Sequence, residues 1–264
     1  MTAAERIFDG DLLRARLWHP DRRTTALYVT FRHWLPDPGT FDDRGRVERA
    51  LNAGLAHLHI QSRWNDWFLN RETPALETAL QALRDRFLTA RALGFSMGGY
   101  AALRFSRALR LNQVLVVSPQ VSLLFPGEDR YPEAAGFDPV AGDLSRHARP
   151  DLAGVVAFDP FQRLDAAHAR RAMQMLPGLR PAALAFGGHP GTAALGEAGG
   201  FRVLQRHSLS ARLQAGEVIA LHRSLRRGSL RYWRERADQL LRRGRTAEAA
   251  AALDRAEALA EGRG

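Results

Sequence analysis

A serine with glycine two positions before and two positions after it is the residue of this sequence best placed to do chemistry. Ser96 lies in the segment GFSMGGY (residues 94–100), between a largely apolar run (residues 90–93) and a segment of helical character (residues 101–105). This order predicts a strand, a sharp turn and a helix, with the serine at the apex. Such a turn strains the backbone and needs small flanking residues, because a Cβ there would collide with the strand and helix. A hydroxyl presented above a helix N-terminus is suited to nucleophilic attack.

The G-x-S-x-G segment in this setting resembles the nucleophile elbow of the α/β-hydrolase superfamily, and residues 94–103 are similar to its serine esterase and acyl-transfer branches. The resemblance covers roughly residues 7–208. It implies an α/β-hydrolase fold, with a mainly parallel sheet and helices on both faces. It also implies a catalytic triad in the chain order serine, acid, histidine, so the rest of the sequence should supply an acid and then a base.

The candidates for acid and base follow two later strand-like segments. Asp159 stands directly after the apolar run of residues 155–158, where the resembled fold keeps its triad acid. Asp165, six residues later at the start of a predicted helix, is the alternative acid, although a helix-entry carboxylate stabilised by the helix dipole explains it equally simply. We favour Asp159. His189 lies in a Gly/Pro loop immediately after the last clear strand, residues 181–186, and is the predicted base.

The resemblance also implies two backbone N–H donors for an oxyanion. Met97, which follows the nucleophile, supplies one of them. The other should come from the loop after the strand of residues 24–31, and we assign it to Phe31 or Arg32. The usual His-Gly signature of that loop is absent here.

Strand-like segments alternate with helical ones along most of the chain. Residues 54–62 and 112–118 predict further buried strands, and a helix with proline in its first turn is predicted to begin at Thr73. This alternation is typical of a mainly parallel sheet covered on both faces.

Two stretches are candidates for shaping the substrate site. The pattern breaks down over residues 121–154, a proline-rich segment that we interpret as a lid or substrate-shaping insertion. Trp34, Trp64 and Trp67 lie in loops expected near the active edge of the sheet, where they could contact a sugar or acyl group. The alternative is that these aromatic side chains close the core beneath a long loop.

The C-terminal segment has a different character. We predict a hydrolase domain at 1–208 and a helical segment at 209–264, in which residues 230–263 resemble a single tetratricopeptide repeat with its turn at residues 243–245. Arg236 departs from the repeat at a usual leucine position. A solitary repeat cannot bury its apolar face alone, so the hairpin should pack on the hydrolase domain, a protein partner or a second copy of the chain.

Composition limits the other classes of function. The chain has no cysteine, which excludes disulfides and thiolate chemistry. The net charge of +10 comes from arginines spread along the chain, so we do not expect nucleic acid as a partner; only residues 223–236 are dense enough to form a basic patch. His57 and His59 could share a strand face, but no third ligand lies at metal-site spacing, and we predict neither metal nor cofactor.

No stretch approaches the roughly 18 to 20 apolar residues that span a bilayer, and we expect a soluble, cytoplasmic protein. The sequence thus predicts a serine esterase that cleaves a small-molecule or glycan-like acyl ester, with deacetylation of a polar, sugar-like substrate as one form. An acyltransferase using the same acyl-serine is the alternative. A catalytically silent binding module that docks through its helical tail is a second alternative, because fold does not fix function.

Overall fold

The computed structural model of the chain describes residues 4–43 and 45–262. The ends of the predicted domains and repeat, residues 1–3 and 263–264, lie outside the described residues. The strands are β1 (Glu5–Asp9), β2 (Leu13–Trp18), β3 (Ala26–Phe31), β4 (Ala56–Ser62), β5 (Thr89–Phe95), β6 (Gln113–Val117), β7 (Ala153–Phe158) and β8 (Leu179–Ala183).

The α-helices of the described ranges alternate with these strands and then continue alone to the C-terminus. They are α1 (Glu48–Asn52), α2 (Thr73–Arg84), α3 (Met97–Arg104), α4 (Leu144–His147), α5 (Arg163–Met175), α6 (Ala193–Glu197), α7 (Phe201–Ser208), α8 (Ala215–Leu225), α9 (Leu230–Leu241) and α10 (Thr246–Glu261). Short 3-10 helices lie at Pro132–Gly136 and Arg226–Gly228. None of the described helices combines the length and the apolar character needed to span a bilayer.

The strands form one sheet in the order β1-β2-β4-β3-β5-β6-β7-β8. β1 and β2 are antiparallel to each other, β2 is antiparallel to β4, and every other pair is parallel. Helices α2, α3 and α5 bury one face of the sheet, and α1, α6, α7 and α8 bury the other. Because both faces are covered, the central strands are almost continuously apolar, as in the VLVV of β6. The predicted α/β architecture is confirmed.

The parallel strands bring distant parts of the chain to one edge of the sheet. The carboxyl ends of β3, β5, β6, β7 and β8 lie side by side, since these strands are parallel and adjacent in the sheet. The segments that follow them carry Arg32, Ser96, Gln120, Asp159 and His189. Side chains from almost 160 positions of sequence therefore meet at this edge, as in other open parallel sheets.

The last strand lies earlier in the sequence than its apolar pattern predicts. We expected residues 181–186, but β8 is Leu179–Ala183 and pairs with β7 from Gly154 opposite Leu179 to Phe158 opposite Ala183. Pro181 is tolerated because β8 is an edge strand, where a missing N–H does not break a second ladder. Residues 184–186 instead begin the turn towards His189, with the Leu184 amide donating to the Phe158 carbonyl at 2.8 Å.

The insertion, residues 121–154, folds back onto the sheet and its helices. Tyr131, Phe137 and Leu144 are buried against the core. The Tyr100 hydroxyl donates to the Gly142 carbonyl at 3.0 Å, which fixes the insertion to α3. This contact ties the irregular segment to the helix that begins directly after Ser96.

The C-terminal pair α9 and α10 forms a hairpin whose turn contains Gly244, with a φ of +69°. Ala237, Leu240, Ala249 and Ala252 are buried between the two helices. Helix α9 also packs on the body of the protein, where the rings of Tyr232 and Phe186 meet edge to face with centroids 5.7 Å apart. The helical pair is therefore confirmed. Its likeness to a tetratricopeptide repeat and the division of the chain near residue 208 stay predictions.

The turn between β5 and α3 holds Ser96 in a strained backbone conformation, with φ 50° and ψ −122°. Two glycines allow it. A Cβ on Gly94 would lie 2.2 Å from the Gly98 carbonyl oxygen, and a Cβ on Gly98 would lie 2.9 Å from the Arg32 carbonyl oxygen. Both neighbours are backbone atoms, which cannot move aside without distorting the turn.

We expect Gly94→Ala to lower the free energy of unfolding by about 1–3 kcal/mol, because the added methyl overpacks a backbone contact. Gly216→Ala is the matched control, since a Cβ on that helical glycine would meet no atom within 4 Å. Urea denaturation of both variants checks this. Equal stability of the two variants would contradict the tight contact at the turn.

Candidate active site

His189 links the serine to a buried carboxylate. Its Nε2 lies 3.5 Å from the Ser96 Oγ, and its Nδ1 lies 2.7 Å from Oδ2 of Asp165. Since an ionised carboxylate only accepts hydrogen bonds, Nδ1 carries the proton and Nε2 of the neutral ring is an acceptor. The structure thus brings Ser96, His189 and Asp165 into one row with the geometry of a proton relay.

The preference for Asp159 as the partner of His189 is corrected by the structure. The Asp159 carboxylate instead accepts from three backbone amides, those of Phe161 at 3.0 Å, Phe186 at 3.2 Å and Gly188 at 2.9 Å. Asp159 therefore holds the backbone of the loop that carries His189. Asp165, in the first turn of α5, is the carboxylate that contacts the imidazole ring.

The pKa values of the two aspartates shift in opposite directions. Burial raises the pKa of Asp159, and its three backbone hydrogen bonds do not fully offset this. Burial also acts to raise the pKa of Asp165, but hydrogen bonds from His189 and Arg130 outweigh it and hold that pKa below its ordinary value. Asp165 is thus the aspartate that stays ionised next to the imidazole.

Gln120 holds the serine hydroxyl in this structure. The Ser96 Oγ donates to the Gln120 Oε1 at 3.0 Å, which is shorter than its distance to His189. The Gln120 amide is oriented in turn by donating to the Ser118 carbonyl at 2.8 Å. A serine hydroxyl has one proton, so the proton must turn from Gln120 towards the imidazole before transfer. Sequence reasoning missed Gln120, although its place just after β6 was a usable signal.

Tyr131 reaches the same imidazole from the insertion. Its hydroxyl lies 3.3 Å from the His189 Nε2, close to Ser96. Burial raises the pKa of Tyr131, so the hydroxyl stays protonated at neutral pH and donates to the ring. No motif in the sequence predicted this contact.

A buried ionic network ties the insertion to Asp165. The Arg130 guanidinium donates to Asp165 at 2.7 Å and to Glu128 at 2.5 Å. Glu128 also accepts from the His168 Nε2 at 2.9 Å, and the His168 Nδ1 accepts the Val121 amide at 3.3 Å. The carboxylates of Glu128 and Asp165 are fully buried, so each depends on these partners for its charge to be tolerated.

The predicted oxyanion donors differ in their availability. Met97 begins α3, and the amide of a first helical residue has no acceptor within its own helix. The Arg32 amide is different: it donates to the Ile60 carbonyl at 2.9 Å, because pairing with β4 continues one residue past Phe31. Arg32 is therefore corrected as a donor. Phe31 lies inside β3, where its ring packs in the core.

The three candidate tryptophans lie at different depths, and two of them pack on Tyr131. Trp67 is fully buried and meets the Tyr131 ring edge to face, with centroids 4.9 Å apart. Trp34 is half-buried, with its centroid 6.5 Å from that of Tyr131. Trp64 is 48% exposed. Trp34 and Trp67 thus pack on the side chain whose hydroxyl lies 3.3 Å from the His189 Nε2.

His57 and His59 are engaged within the protein. The Thr30 hydroxyl lies 2.8 Å from the His57 Nε2 and 2.8 Å from the His59 Nδ1. Burial lowers the pKa of His59 to about 4, so its ring is neutral at physiological pH. Among the described residues, no three histidine, aspartate or glutamate side chains are grouped as a metal site requires.

The fold has likenesses among solved structures. A proposed thioesterase from Silicibacter sp. has a TM-score of 0.50 at 18% identity, over 72% of this chain and 78% of its own. Est1E from Butyrivibrio proteoclasticus with bound ferulic acid has a TM-score of 0.49 at 14% identity, over 76% of this chain and 98% of its own. The capsule O-acetyltransferase of Neisseria meningitidis serogroup A has a TM-score of 0.49 at 10% identity, over 67% of this chain and 85% of its own.

At such low identities the likeness concerns the fold, and the activities of these proteins are not carried over by it. No protein-family model and no curated protein sequence matches this chain. The sheet order, the turn at Ser96 and the likeness to the thioesterase structure agree on one architecture. The chain has the α/β-hydrolase fold, followed by a C-terminal helical pair.

The ionic network predicts a pH dependence of stability. Burial acts to raise the pKa of Glu128, but hydrogen bonds from Arg130 and His168 hold it at about 2. In the unfolded chain the pKa of a glutamate is about 4.3. A folded-state pKa that is depressed stabilises the protein above the unfolded value, and this stabilisation is lost as the pH falls from about 4.3 towards 2.

We therefore expect Glu128→Gln to be less stable than the wild type at pH 7, with a gap that narrows as the pH falls below about 4.5. Urea denaturation across that pH range measures the gap. Glu257→Gln, at an exposed position of α10, is the control for removal of an unburied carboxylate. A gap for Glu128→Gln that stays constant with pH would contradict the charged network.

Proposed function

We propose that this protein is a serine esterase that cleaves a carboxylic acyl ester through Ser96, His189 and Asp165. The observation that carries the proposal is the row of these three side chains at the carboxyl edge of a parallel sheet, with a 2.7 Å bond from the base to an ionised, buried acid. The strained turn at Ser96 supports it, since such strain is concentrated at functional sites.

In the proposed reaction the Ser96 hydroxyl leaves Gln120 and gives its proton to the His189 Nε2 as Oγ attacks the ester carbonyl carbon. Asp165 keeps the imidazole in the required tautomer and stabilises the imidazolium that forms. Collapse of the tetrahedral intermediate breaks the ester bond, and His189 passes its proton to the departing alkoxide. Water then attacks the acyl-serine by the same route. The 3.5 Å distance of the free site is compatible with this, because such bonds commonly tighten when substrate binds.

The developing oxyanion needs donors at the same edge. The Met97 amide serves as one, since it begins α3 and the positive end of the helix dipole lies there. Because the Arg32 amide is committed to β4, we assign the second donor to the next amide along the chain, that of His33. The Tyr131 hydroxyl becomes a further donor when a substrate displaces it from the imidazole.

A fluorophosphonate probe tests the central claim, because it labels an activated serine and spares an ordinary one. We expect one adduct on the wild type and none on Ser96→Ala or His189→Ala, measured by intact mass. Circular dichroism confirms that the variants are folded. Hydrolysis of short acyl esters should follow the same pattern, and turnover retained in folded Ser96→Ala would refute the serine assignment.

The two aspartates give a second test. Asp165→Asn should lower kcat by roughly 10²- to 10⁴-fold, because the imidazole loses its orienting charge. Asp159→Asn should mainly lower the urea midpoint, since its carboxylate holds three backbone amides. Rates are compared per folded molecule. A larger loss of kcat in folded Asp159→Asn than in Asp165→Asn would reverse the assignment.

A further inference from the structure

Ser118, directly after β6, is a fully buried serine in a strained backbone conformation. Its φ is 46°, in the left-handed region that favours glycine. Its amide donates to the Ala157 carbonyl at 2.8 Å, where the pairing of β6 with β7 ends. Strained residues other than glycine persist only where the surrounding structure requires them, and they are concentrated at functional sites. Because a glycine would remove the strain, the presence of a serine side chain here needs a reason.

The side chain of Ser118 holds the loop that carries His189. Its Oγ accepts the Gly191 amide at 2.9 Å, two residues after the proposed base. Gly191 is tightly packed, because a Cβ there would lie 2.8 Å from the Asp159 amide nitrogen. On the other side of His189, the Gly188 amide donates to the Asp159 carboxylate at 2.9 Å. His189 therefore stands in the chain between two backbone amides that buried side chains fix.

The proton of the same hydroxyl is directed to the proposed acid. A hydroxyl donates one hydrogen bond and accepts others, so Ser118 accepts from Gly191 and donates to a carboxylate at the same time. Burial acts to raise the pKa of Asp165, and a hydrogen bond from the Ser118 hydroxyl is among those that hold it below its ordinary value. One side chain thus contacts the acid directly and the base through its loop.

The backbone of this segment supports the proposed nucleophile. The Ser118 carbonyl accepts from the Gln120 Nε2 at 2.8 Å, and the Gln120 Oε1 accepts the Ser96 hydroxyl at 3.0 Å. The neighbouring Val117 carbonyl accepts the Ser96 amide at 2.9 Å. Since the direction of the Ser118 carbonyl depends on the left-handed backbone, the strained conformation orients the amide group that holds Ser96.

We propose that Ser118 is a positioning residue of the active site, whose hydroxyl and left-handed backbone together set the arrangement of Ser96, His189 and Asp165. The inference rests on the proposed esterase function and adds a residue to its site. Ser118 acts through these three residues and takes no part in bond making or breaking.

Two substitutions separate the hydroxyl from the backbone strain. Ser118→Ala removes the hydroxyl and keeps the strained φ, whereas Ser118→Gly removes the hydroxyl and the strain. We expect urea denaturation to show Ser118→Gly more stable than Ser118→Ala, because glycine adopts a positive φ freely. In both variants kcat per folded molecule for a short acyl ester should nevertheless fall by roughly 10- to 100-fold, because small displacements of reacting groups are costly. KM should change by less than about twofold, since no contact with substrate is removed.

Ser106→Ala is the matched control. Ser106 is also fully buried, and its hydroxyl accepts the Arg149 amide at 2.8 Å and donates to the Leu103 carbonyl at 2.6 Å. It lies between α3 and β6, towards the amino end of β6 and away from Ser96. This variant should lower the urea midpoint, because a buried amide loses its acceptor, and leave kcat per folded molecule unchanged.

A purely structural role for Ser118 gives a different result. The loss of kcat would then disappear once the rates are expressed per folded molecule, and Ser118→Gly would match the wild type. Either an unchanged kcat in both folded Ser118 variants or an equal loss in Ser106→Ala would overturn the inference while leaving the esterase proposal intact.

Failure of the esterase proposal is recognised separately, since the folded wild type then hydrolyses no short acyl ester and gives no fluorophosphonate adduct. The positioning is in that case tested without turnover, by NMR of the His189 ring Cε1–H, whose resonance is assigned by its loss in His189→Ala. Its chemical shift at neutral pH should change in both Ser118 variants and stay the same in Ser106→Ala. An unchanged shift in the two folded Ser118 variants overturns the inference.

Discussion

The burial of one negative charge, that of Asp165, constrains the whole active edge. A carboxylate removed from water is tolerated only when cations or strong donors surround it. Here the donors come from opposite sides, His189 from the loop after β8 and Arg130 from the insertion. Since Arg130 also pairs with Glu128, and Glu128 with His168, the charge draws the insertion down onto α5. The buried Asp165 carboxylate that orients the imidazole therefore also positions the insertion.

Two aspartates six residues apart hold His189 in different ways. Asp165 orients the imidazole ring. Asp159 fixes the backbone just before His189, because its carboxylate accepts from the Phe186 and Gly188 amides. Helix α9 adds a third support from outside, since a Cβ on Gly188 would lie 3.0 Å from Cδ of Arg231. The C-terminal pair thus contacts the loop that carries His189.

Local patterns predicted the parts of the site that local backbone geometry determines. The glycines around Ser96 predicted the tight turn, because the close contact they allow lies within that turn. The loop after the last strand predicted the place of His189, because parallel strands end at the same edge of the sheet. The strand alternation likewise predicted the sheet, apart from the early start of β8 at an edge that tolerates Pro181. The choice between Asp159 and Asp165 could not be made from the sequence. It depends on which carboxylate accepts the amides of residues 186 and 188, and the spacing of residues along the chain does not predict that. Arg32 was misassigned for the same kind of reason, because β4 extends the ladder by one residue.

Contacts made by the insertion were beyond sequence reasoning, since they join side chains that are far apart in the chain and belong to no regular element. Glu133 meets Trp34 from 99 positions away, and Tyr131 lies against Trp67. Tyr131 connects two of these regions: its hydroxyl lies 3.3 Å from the His189 Nε2, and its ring packs edge to face on Trp67. Because the Tyr131 hydroxyl donates to the His189 Nε2, it occupies the acceptor that a proton from Ser96 would need. The position of the insertion and the availability of the His189 acceptor are therefore physically linked through a single tyrosine side chain.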